Sequence, residues 1–177
     1  YEGDCVFLFV LSNRGGGKTV GIGKKTITEF IEYGYRAGLI KRLVDDFDDD
    51  DRGMLGFWNK SFKFSKYKET HKLTAKSRKA YIDDKLFCYD LALKDVNEIK
   101  NRNDFDNVHT IIFDEFIPEN GKFLNIGKLT EFQAVCSIYE TVARGRDDAL
   151  ETTSIIFLSN SVDKVNQYFD ELGIDKD

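Results

Sequence analysis

The 177 residues are enough for one domain with a substantial hydrophobic core, and a composition of 41% hydrophobic and 32% charged residues is typical of a globular protein. A formal net charge of −5 excludes a protein that coats nucleic acid through its overall charge, so any contact with a polyanion must be local. The longest apolar run, residues 5–11, is too short to cross a bilayer and lacks the flanks of a signal peptide, so we expect no membrane association.

The first predicted elements are a strand, a loop and a helix. Residues 5–11 form a continuous apolar run, which is typical of a strand buried on both faces. A glycine-rich loop follows, and from Lys18 the apolar residues recur at helical spacing until Gly34, which predicts the end of the helix. Residues 37–44 then predict a second strand, so the chain begins with a β-loop-α-β unit.

The middle of the chain has a weaker pattern. Phe62 and Phe64 predict a short strand. Residues 81–82 and 86–89 predict two more short strands, with residues 83–84 as the hairpin turn between them.

Two charged stretches lie in this part of the chain. Residues 45–51 include six aspartates, which predict an exposed loop. Residues 60–79 contain eight lysines and arginines, with Glu69 as the single acid, and aromatic residues between them. Such a stretch could follow a phosphate backbone, but most charge runs are solvated faces, and the sequence leaves both interpretations open.

The second half of the chain predicts two further buried strands, residues 108–113 and 154–158, with a helix at 129–143 between them. Strands that alternate with helices indicate a mostly parallel sheet with helices on both faces. No linker or repeat divides the chain, so we predict one α/β domain over residues 1–177. In such sheets ligands bind at the carboxyl ends of the strands, and three of these strands end in polar residues.

The loop after the first strand fits the phosphate-binding pattern G-x-x-x-x-G-K-[ST], except that a serine replaces the first glycine: Ser12-Asn13-Arg14-Gly15-Gly16-Gly17-Lys18-Thr19. Its glycines allow successive N–H groups to surround a phosphate, and the following helix adds its dipole. We expect Lys18 to reach the β- and γ-phosphates of ATP and the Thr19 hydroxyl to coordinate Mg²⁺.

The second polar strand end is Asp114-Glu115, which follows an apolar run. Asp114 could hold Mg²⁺ and its water shell, and Glu115 could polarise the water that attacks the phosphate. Alone, such a pair is equally consistent with a solvated turn. The phosphate-binding loop in the same chain favours hydrolysis, and the glutamate distinguishes the chain from switch GTPases.

The third polar strand end is Ser159-Asn160, where Asn160 could contact the γ-phosphate or the attacking water. Arg144 and Arg146 follow the predicted helix, and a guanidinium could stabilise the charge of the phosphoryl transition state. A surface pair at a helix C-terminus explains these arginines at least as well, and their spacing alone slightly favours it.

Six short blocks, in order along nearly the whole chain, carry a family resemblance: Arg14-Gly15-x-Gly17-Lys18, Tyr81-Ile82-Asp83-x-Lys85-Leu86, Asn107-Val108-x-Thr110-Ile111-x-Phe113-Asp114-Glu115-Phe116-Ile117, Thr141-Val142-x-Arg144-x-Arg146, Leu158-Ser159-Asn160 and Val165-Asn166-x-Tyr168-Phe169. The chain resembles the DNA encapsidation (genome-packaging) ATPases of the small picovirus-type podophages, which are relatives of the large terminases.

The resemblance implies a RecA-like P-loop NTPase of the additional-strand, catalytic-glutamate type. It implies a ring, usually a pentamer, that acts in the host cytoplasm and docks transiently at the portal vertex of the prohead. There it would drive double-stranded DNA inward, with a packaging RNA as a further partner. It makes Arg144 the leading candidate for an arginine finger in trans. The family also has a C-terminal nuclease-like domain, so we expect this chain to be the N-terminal ATPase domain alone.

Two departures from the family pattern stand out. Ser12 replaces the first loop glycine, and Asp147-Asp148 follow the arginines where a more basic character is typical. Two alternatives remain: another RecA-like DNA translocase or helicase, and a nucleotide-binding assembly module without hydrolysis. A small-molecule kinase is less favoured, because it gains nothing from a water-activating glutamate.

Overall fold

The computed structural model describes residues 7–12, 15, 17–118, 120–144, 153–160 and 167–174. Its strands are β1 Phe7–Ser12, β2 Arg36–Lys41, β3 Leu73–Lys76, β4 Lys79–Ile82, β5 Lys85–Ala92, β6 Val108–Asp114 and β7 Ser154–Asn160. Its helices are α1 Lys18–Tyr33, α2 Met54–Phe62, α3 Val96–Ile99, α4 Glu131–Arg144 and α5 Gln167–Leu172, with short 3₁₀ turns at Asp45–Phe47 and Leu93–Asp95.

Within the described residues the strands form one sheet in the order β1-β7-β6-β2-β5-β4-β3. The neighbours from β1 to β5 run parallel, whereas β4 and β3 extend the sheet in the antiparallel direction. β7 therefore lies between β1 and β6, although it is the last of the described strands along the chain. The carboxyl ends of β1, β7, β6 and β2 meet at one edge, with Ser12 opposite Asn160 and Asp114 opposite Leu158.

The helices cover both faces of the sheet, as alternation along β6 shows. Ile111 packs into a core cluster with Val135 and Tyr168, from α4 and α5. Its neighbour Ile112 packs into a second cluster with Ile27 and Trp58, from α1 and α2. Because successive residues of a strand point to opposite faces, the two clusters lie on opposite sides of the sheet. The predicted mixed α/β fold with helices on both faces is confirmed.

The strand predicted from Phe62 and Phe64 is wrong. Phe62 is the last residue of α2, and Phe64 follows the helix with 67% of its side chain exposed. Buried Met54, Phe57 and Trp58 recur at helical spacing before Phe62 and place one apolar face of α2 against the sheet. Phe62 and Phe64 are two residues apart, which is the spacing of a strand face, but only Phe62 belongs to the apolar face of α2.

The second predicted strand is shorter than expected, since β2 ends at Lys41 and not at Val44. The carboxylate of Asp46 accepts a hydrogen bond from the Leu43 N–H at 2.9 Å, and the chain turns into the 3₁₀ segment. This local bond competes with continued strand pairing.

The predicted hairpin turn and the acidic loop agree with the structure. Asp83 and Asp84 join β4 to β5 with φ values of 50° and 61°, a left-handed conformation that aspartate tolerates and that two-residue hairpins require. In the acidic loop the Asp49 carboxylate accepts hydrogen bonds from the N–H groups of Asp51 and Arg52, and Phe47 is buried beneath it.

None of the helices in the described part of the chain is both long enough and apolar enough to span a membrane.

Candidate active site

The carboxyl edge of the sheet opens into a cavity of about 480 Å³ between α1, α2 and the ends of β2, β6 and β7. It receives residues from all three polar strand ends of the sequence analysis. The side chains and backbone that line it are Gly15, Gly17, Lys18, Thr19, Val20, Lys41, Arg52, Phe57, Lys60, Asp114, Glu115 and Asn160. The cavity is more polar than a site for an apolar ligand, and its lysines and arginine suit an anion.

The phosphate-binding loop leads directly into α1. Gly15 and Gly17 have φ values of 83° and 68°, which only glycine adopts without strain, and Gly17 is the residue that caps α1. No side chain caps the start of this 16-residue helix, so its first N–H groups are open to the cavity. The positive end of the helix dipole lies at the same place. The predicted residues Asn13, Arg14 and Gly16 lie outside the described residues.

Lys18 connects the loop to the end of β7. Its Nζ donates a hydrogen bond to Oδ1 of Asn160 at 2.9 Å, across 142 residues of sequence. Ser12, the predicted irregular position, ends β1 and pairs in register with Asn160. The sheet order therefore brings the lysine and the polar end of β7 to one side of the cavity. The contact of Asn160 with a γ-phosphate or water stays a prediction.

Asp114 is the last residue of β6 and is half-buried at the cavity wall. Burial raises the pKa of its carboxyl above the ordinary value, and Glu115 raises it further, whereas Lys41, the Glu115 N–H and Lys18 act to lower it. A carboxylate that burial destabilises gains most from a cation nearby. Thr19 lines the same cavity, so the two predicted metal ligands share it.

Glu115 is exposed and also lines the cavity. Its φ of 57° places it in the left-handed region, an uncommon conformation for a glutamate. Backbone strain of this kind concentrates at functional sites and persists only where the surrounding structure enforces it.

Three cations of this cavity were missed by the sequence analysis: Lys41, Arg52 and Lys60. Burial lowers the pKa of Lys41, against the opposing effects of Asp114 and Glu115. The position of Lys41 at the end of β2 could have identified it as a site residue, but the sequence analysis predicted a strand that continued to Val44. Arg52 belongs to no motif, and Lys60 was noted only as part of the basic stretch. The packing of α2 and the segment before it beside α1 brings both residues to the cavity.

Arg144 lies outside this cavity. At the end of α4 its Nε donates to the Glu140 carbonyl at 3.0 Å, and its Nη2 donates to Oγ1 of Thr141 at 3.2 Å. It lines a separate cavity of about 370 Å³ with Lys100, Arg102, Asn103, Phe105 and Thr141. The structure does not bring Arg144 together with Asp114 and Glu115 of its own chain, and Arg146 lies outside the described residues.

The basic stretch at 60–79 does not form one continuous face. Lys60 faces the cavity, Lys66 pairs with Glu32 at 2.8 Å, and Lys79 lies 3.6 Å from Asp104. Several of its charges therefore have partners within the chain. A phosphate backbone along the whole stretch stays a prediction.

Comparison with solved structures supports the fold. The chain superimposes on the crystal structure of the N-terminal domain of the DNA packaging ATPase from bacteriophage phi29 with a TM-score of 0.76 at 29% identity, covering 96% of this chain and 80% of that one. It matches a chain of the bacteriophage phi29 viral genome packaging motor assembly with a TM-score of 0.77 at 28% identity, covering 98% of this chain and 49% of that one.

Curated relatives give the same result at the level of sequence. The DNA packaging protein of Bacillus phage phi29 is 32% identical over 166 residues, which cover 94% of this chain and 46% of the relative. The DNA packaging protein of Bacillus phage B103 is 30% identical over 172 residues, which cover 97% of this chain and 49% of the relative. The chain thus spans about half the length of these proteins.

The family described as podovirus DNA encapsidation protein (Gp16) matches residues 2–174, nearly the whole sequence. The resemblance drawn from the six sequence blocks is confirmed. The chain belongs to the podovirus DNA encapsidation protein (Gp16) family.

Proposed function

We propose that this chain binds and hydrolyses ATP with Mg²⁺ as the motor part of a viral DNA-packaging machine. The observation that carries the proposal is the convergence of the phosphate-binding loop, Lys18, Asp114, Glu115 and Asn160 on one cavity at the carboxyl edge of the sheet. The family and its packaging relatives supply the biological setting.

The sheet order supports a RecA-like P-loop fold of the additional-strand type. β7 lies between β1, which precedes the phosphate-binding loop, and β6, which ends in Asp114. The additional-strand type is defined by an extra strand inserted at this position. Glu115 directly follows the strand-ending Asp114, as a catalytic glutamate does in that type.

The residues fit MgATP. The loop and the first turn of α1 would bind the β- and γ-phosphates through backbone N–H groups, and Lys18 would add its charge. Thr19 and Asp114 would hold Mg²⁺, which when bound neutralises charge on the phosphate oxygens. No group of three or more metal-binding side chains occurs in the described ranges, and Mg²⁺ commonly takes one or two protein ligands, with phosphate and water completing its shell.

Glu115 would act as the general base in hydrolysis. Its carboxylate accepts a proton from a water whose oxygen attacks the γ-phosphorus, and the bond to the bridging oxygen of ADP breaks. ADP and phosphate are the products. Lys18 and Asn160, which are hydrogen-bonded to each other at the cavity, would both contact the γ-phosphate and so register its loss.

Arg144 would complete the site of a neighbouring subunit. Its guanidinium is remote from its own cavity and sits with Lys100 and Arg102 at another surface, an arrangement suited to action in trans. We infer a homo-oligomeric ring, a pentamer by family resemblance, that docks at the prohead portal in the host cytoplasm. Its further partners would be double-stranded DNA and a packaging RNA.

Mixed subunits test the action in trans. Arg144→Ala and Lys18→Ala subunits should each be inactive, whereas their mixture should recover ATPase activity, because one subunit supplies an intact loop and the other an intact arginine. Co-assembly is checked with differently tagged subunits. A mixture that co-assembles but stays inactive contradicts a shared site.

A nucleotide-binding module without hydrolysis is the second candidate, and a Glu115→Gln variant separates the two. We expect phosphate release to fall by about 10²-fold or more, with MgATP affinity unchanged, because the amide keeps the shape but accepts no proton. Turnover is measured against protein concentration, with and without double-stranded DNA. The matched control is Glu69→Gln, an exposed acid away from the cavity, which should keep wild-type turnover. Equal rates in both variants would remove Glu115 from the mechanism.

A further inference from the structure

The conformation of Glu115 needs a physical cause. A glutamate with a φ of 57° is disfavoured by contact between its Cβ and the backbone. The next residue, Phe116, is fully buried, and its N–H donates to the Leu158 carbonyl at 3.3 Å. This bond anchors the N–H side of the Glu115–Phe116 peptide to β7, whereas the carbonyl side of the same peptide has a different partner.

Arg42, the first residue after β2, contacts this segment directly. Its Nη1 donates to the carbonyl oxygen of Glu115 at 2.9 Å, and its Nη2 donates to the carbonyl oxygen of Phe116 at 2.8 Å. The guanidinium also lies over the ring of Phe113, 5.1 Å from its centroid. One rigid fork thus holds two successive carbonyls, that of the strained residue and that of the residue after it.

Glu131, the first residue of α4, keeps that fork in place. Its carboxylate is fully buried and accepts hydrogen bonds from Nε and Nη2 of Arg42 at 3.1 Å and 2.7 Å. The Leu124 N–H donates to the same carboxylate at 2.8 Å, and the Tyr168 hydroxyl donates at 2.9 Å. Burial, together with Glu131, raises the pKa of Tyr168 well above its usual range, so the hydroxyl keeps its proton.

We propose that Arg42, oriented by Glu131, is a positioning residue that holds the Glu115 backbone in its left-handed conformation and so directs the Glu115 side chain into the nucleotide cavity. Arg42 binds the backbone of this segment and leaves the Glu115 carboxylate available for water. The proposal rests on the function proposed above, because it assigns the geometry of the same general base.

The first test compares Arg42→Lys with Arg36→Lys. Lysine keeps the charge but cannot bridge two carbonyls and both carboxylate oxygens. We expect kcat for ATP to fall by about 10- to 100-fold, with MgATP affinity within about twofold of wild type, since a misplaced catalytic group costs rate and not binding. Arg36 begins the same strand at its opposite end and bonds Tyr89 and Asp106, so its variant should keep wild-type kcat.

A second measurement separates positioning from a general loss of structure. In a Glu115→Gln background, Arg42→Lys should lower the residual rate no further, because Arg42 acts through the missing carboxylate. An equal fold-loss in both backgrounds, or an unchanged kcat in the single variant, overturns the proposal.

Hydrogen exchange gives a readout independent of catalysis. The Phe116 amide should exchange at least about tenfold faster in Arg42→Lys, while the amides of α1 keep their protection. If Arg42→Lys does not fold, Tyr168→Phe removes one partner of Glu131 and should show the same selective change to a smaller degree. Unchanged protection of the Phe116 amide overturns the positioning role of Arg42. A wild-type protein without ATPase activity contradicts the proposed function, but it does not contradict the positioning of Glu115 by Arg42.

Discussion

Two carboxyl groups flank the Glu115 segment, and they differ in burial and in surroundings. Glu131 is fully buried, and both of its oxygens receive hydrogen bonds from Arg42, Leu124 or Tyr168. Asp114 is half-buried at a cavity, and burial raises the pKa of its carboxyl. A carboxylate whose partners come from its own fold stabilises that fold, whereas one that faces a cation-lined cavity is available to a ligand.

The largest expected effect comes from removing the carboxylate that is available to a ligand. Asp114→Asn should lower ATP hydrolysis by about 10³-fold, because the amide cannot hold Mg²⁺ as a carboxylate does. The free energy of unfolding should stay the same or rise, since a desolvated charge is removed. Phosphate release and urea denaturation measure the two quantities. A variant that is both active and destabilised would place Asp114 with Glu131 as a structural group.

The next effect comes from removing the carboxylate whose partners belong to the fold itself. Glu131→Gln should lower the free energy of unfolding by about 3 kcal/mol, because it leaves the guanidinium of Arg42 buried without its charge partner. Urea denaturation measures this. The control is Asp106→Asn, which removes the more exposed ion pair of Arg36 and should leave stability nearly unchanged. Equal midpoints in the two variants would contradict a structural role for Glu131.

A smaller effect concerns Lys41, which ends β2 beside the end of β6 and acts to lower the pKa of Asp114. Lys41→Met should weaken MgATP binding by about tenfold, through the loss of one positive charge near the phosphates. The unfolding midpoint should stay the same or rise, because burial disfavours the charge that the substitution removes. Titration with MgATP measures the affinity, and an unchanged value would exclude Lys41 from the site.

The smallest effect is a pH dependence of Asp114. Its pKa is raised in the folded state, so the folded chain binds the proton more tightly than the unfolded chain does. Without nucleotide and Mg²⁺, Asp114 therefore reduces stability at neutral pH. This cost disappears as the pH falls through the raised pKa toward the ordinary value of 3.8. The stability difference between Asp114→Asn and wild type should shrink over that range, and a difference that grows on acidification would contradict the sign.

The sequence located those residues of the candidate site that local chemistry determines. The glycine-rich loop, Lys18 and the acids at the end of β6 could be located because glycine conformations and strand-end carboxylates have recognisable patterns. The hairpin at Asp83 and Asp84 was predictable for the same reason.

The supporting contacts could not be predicted. Arg42 and Glu131 are 89 residues apart and meet only because β2 lies beside β6 under α4. Lys41 and Lys60 reach the cavity through helix and strand packing that leaves no periodic signal. Phe62 was misassigned because Phe62 and Phe64 alone have the spacing of a strand. The helix is recognised only when Phe62 is read together with Met54, Phe57 and Trp58 on one face of α2.

The central claim is that this cavity binds MgATP through the loop and Lys18. Calorimetric titration of the wild-type chain and Lys18→Ala with MgATP tests it most directly, with Lys66→Ala, a lysine paired with Glu32, as the matched control. We expect one site in the wild type and the control, and affinity at least about tenfold weaker in Lys18→Ala. Equal affinity in all three proteins would contradict the claim.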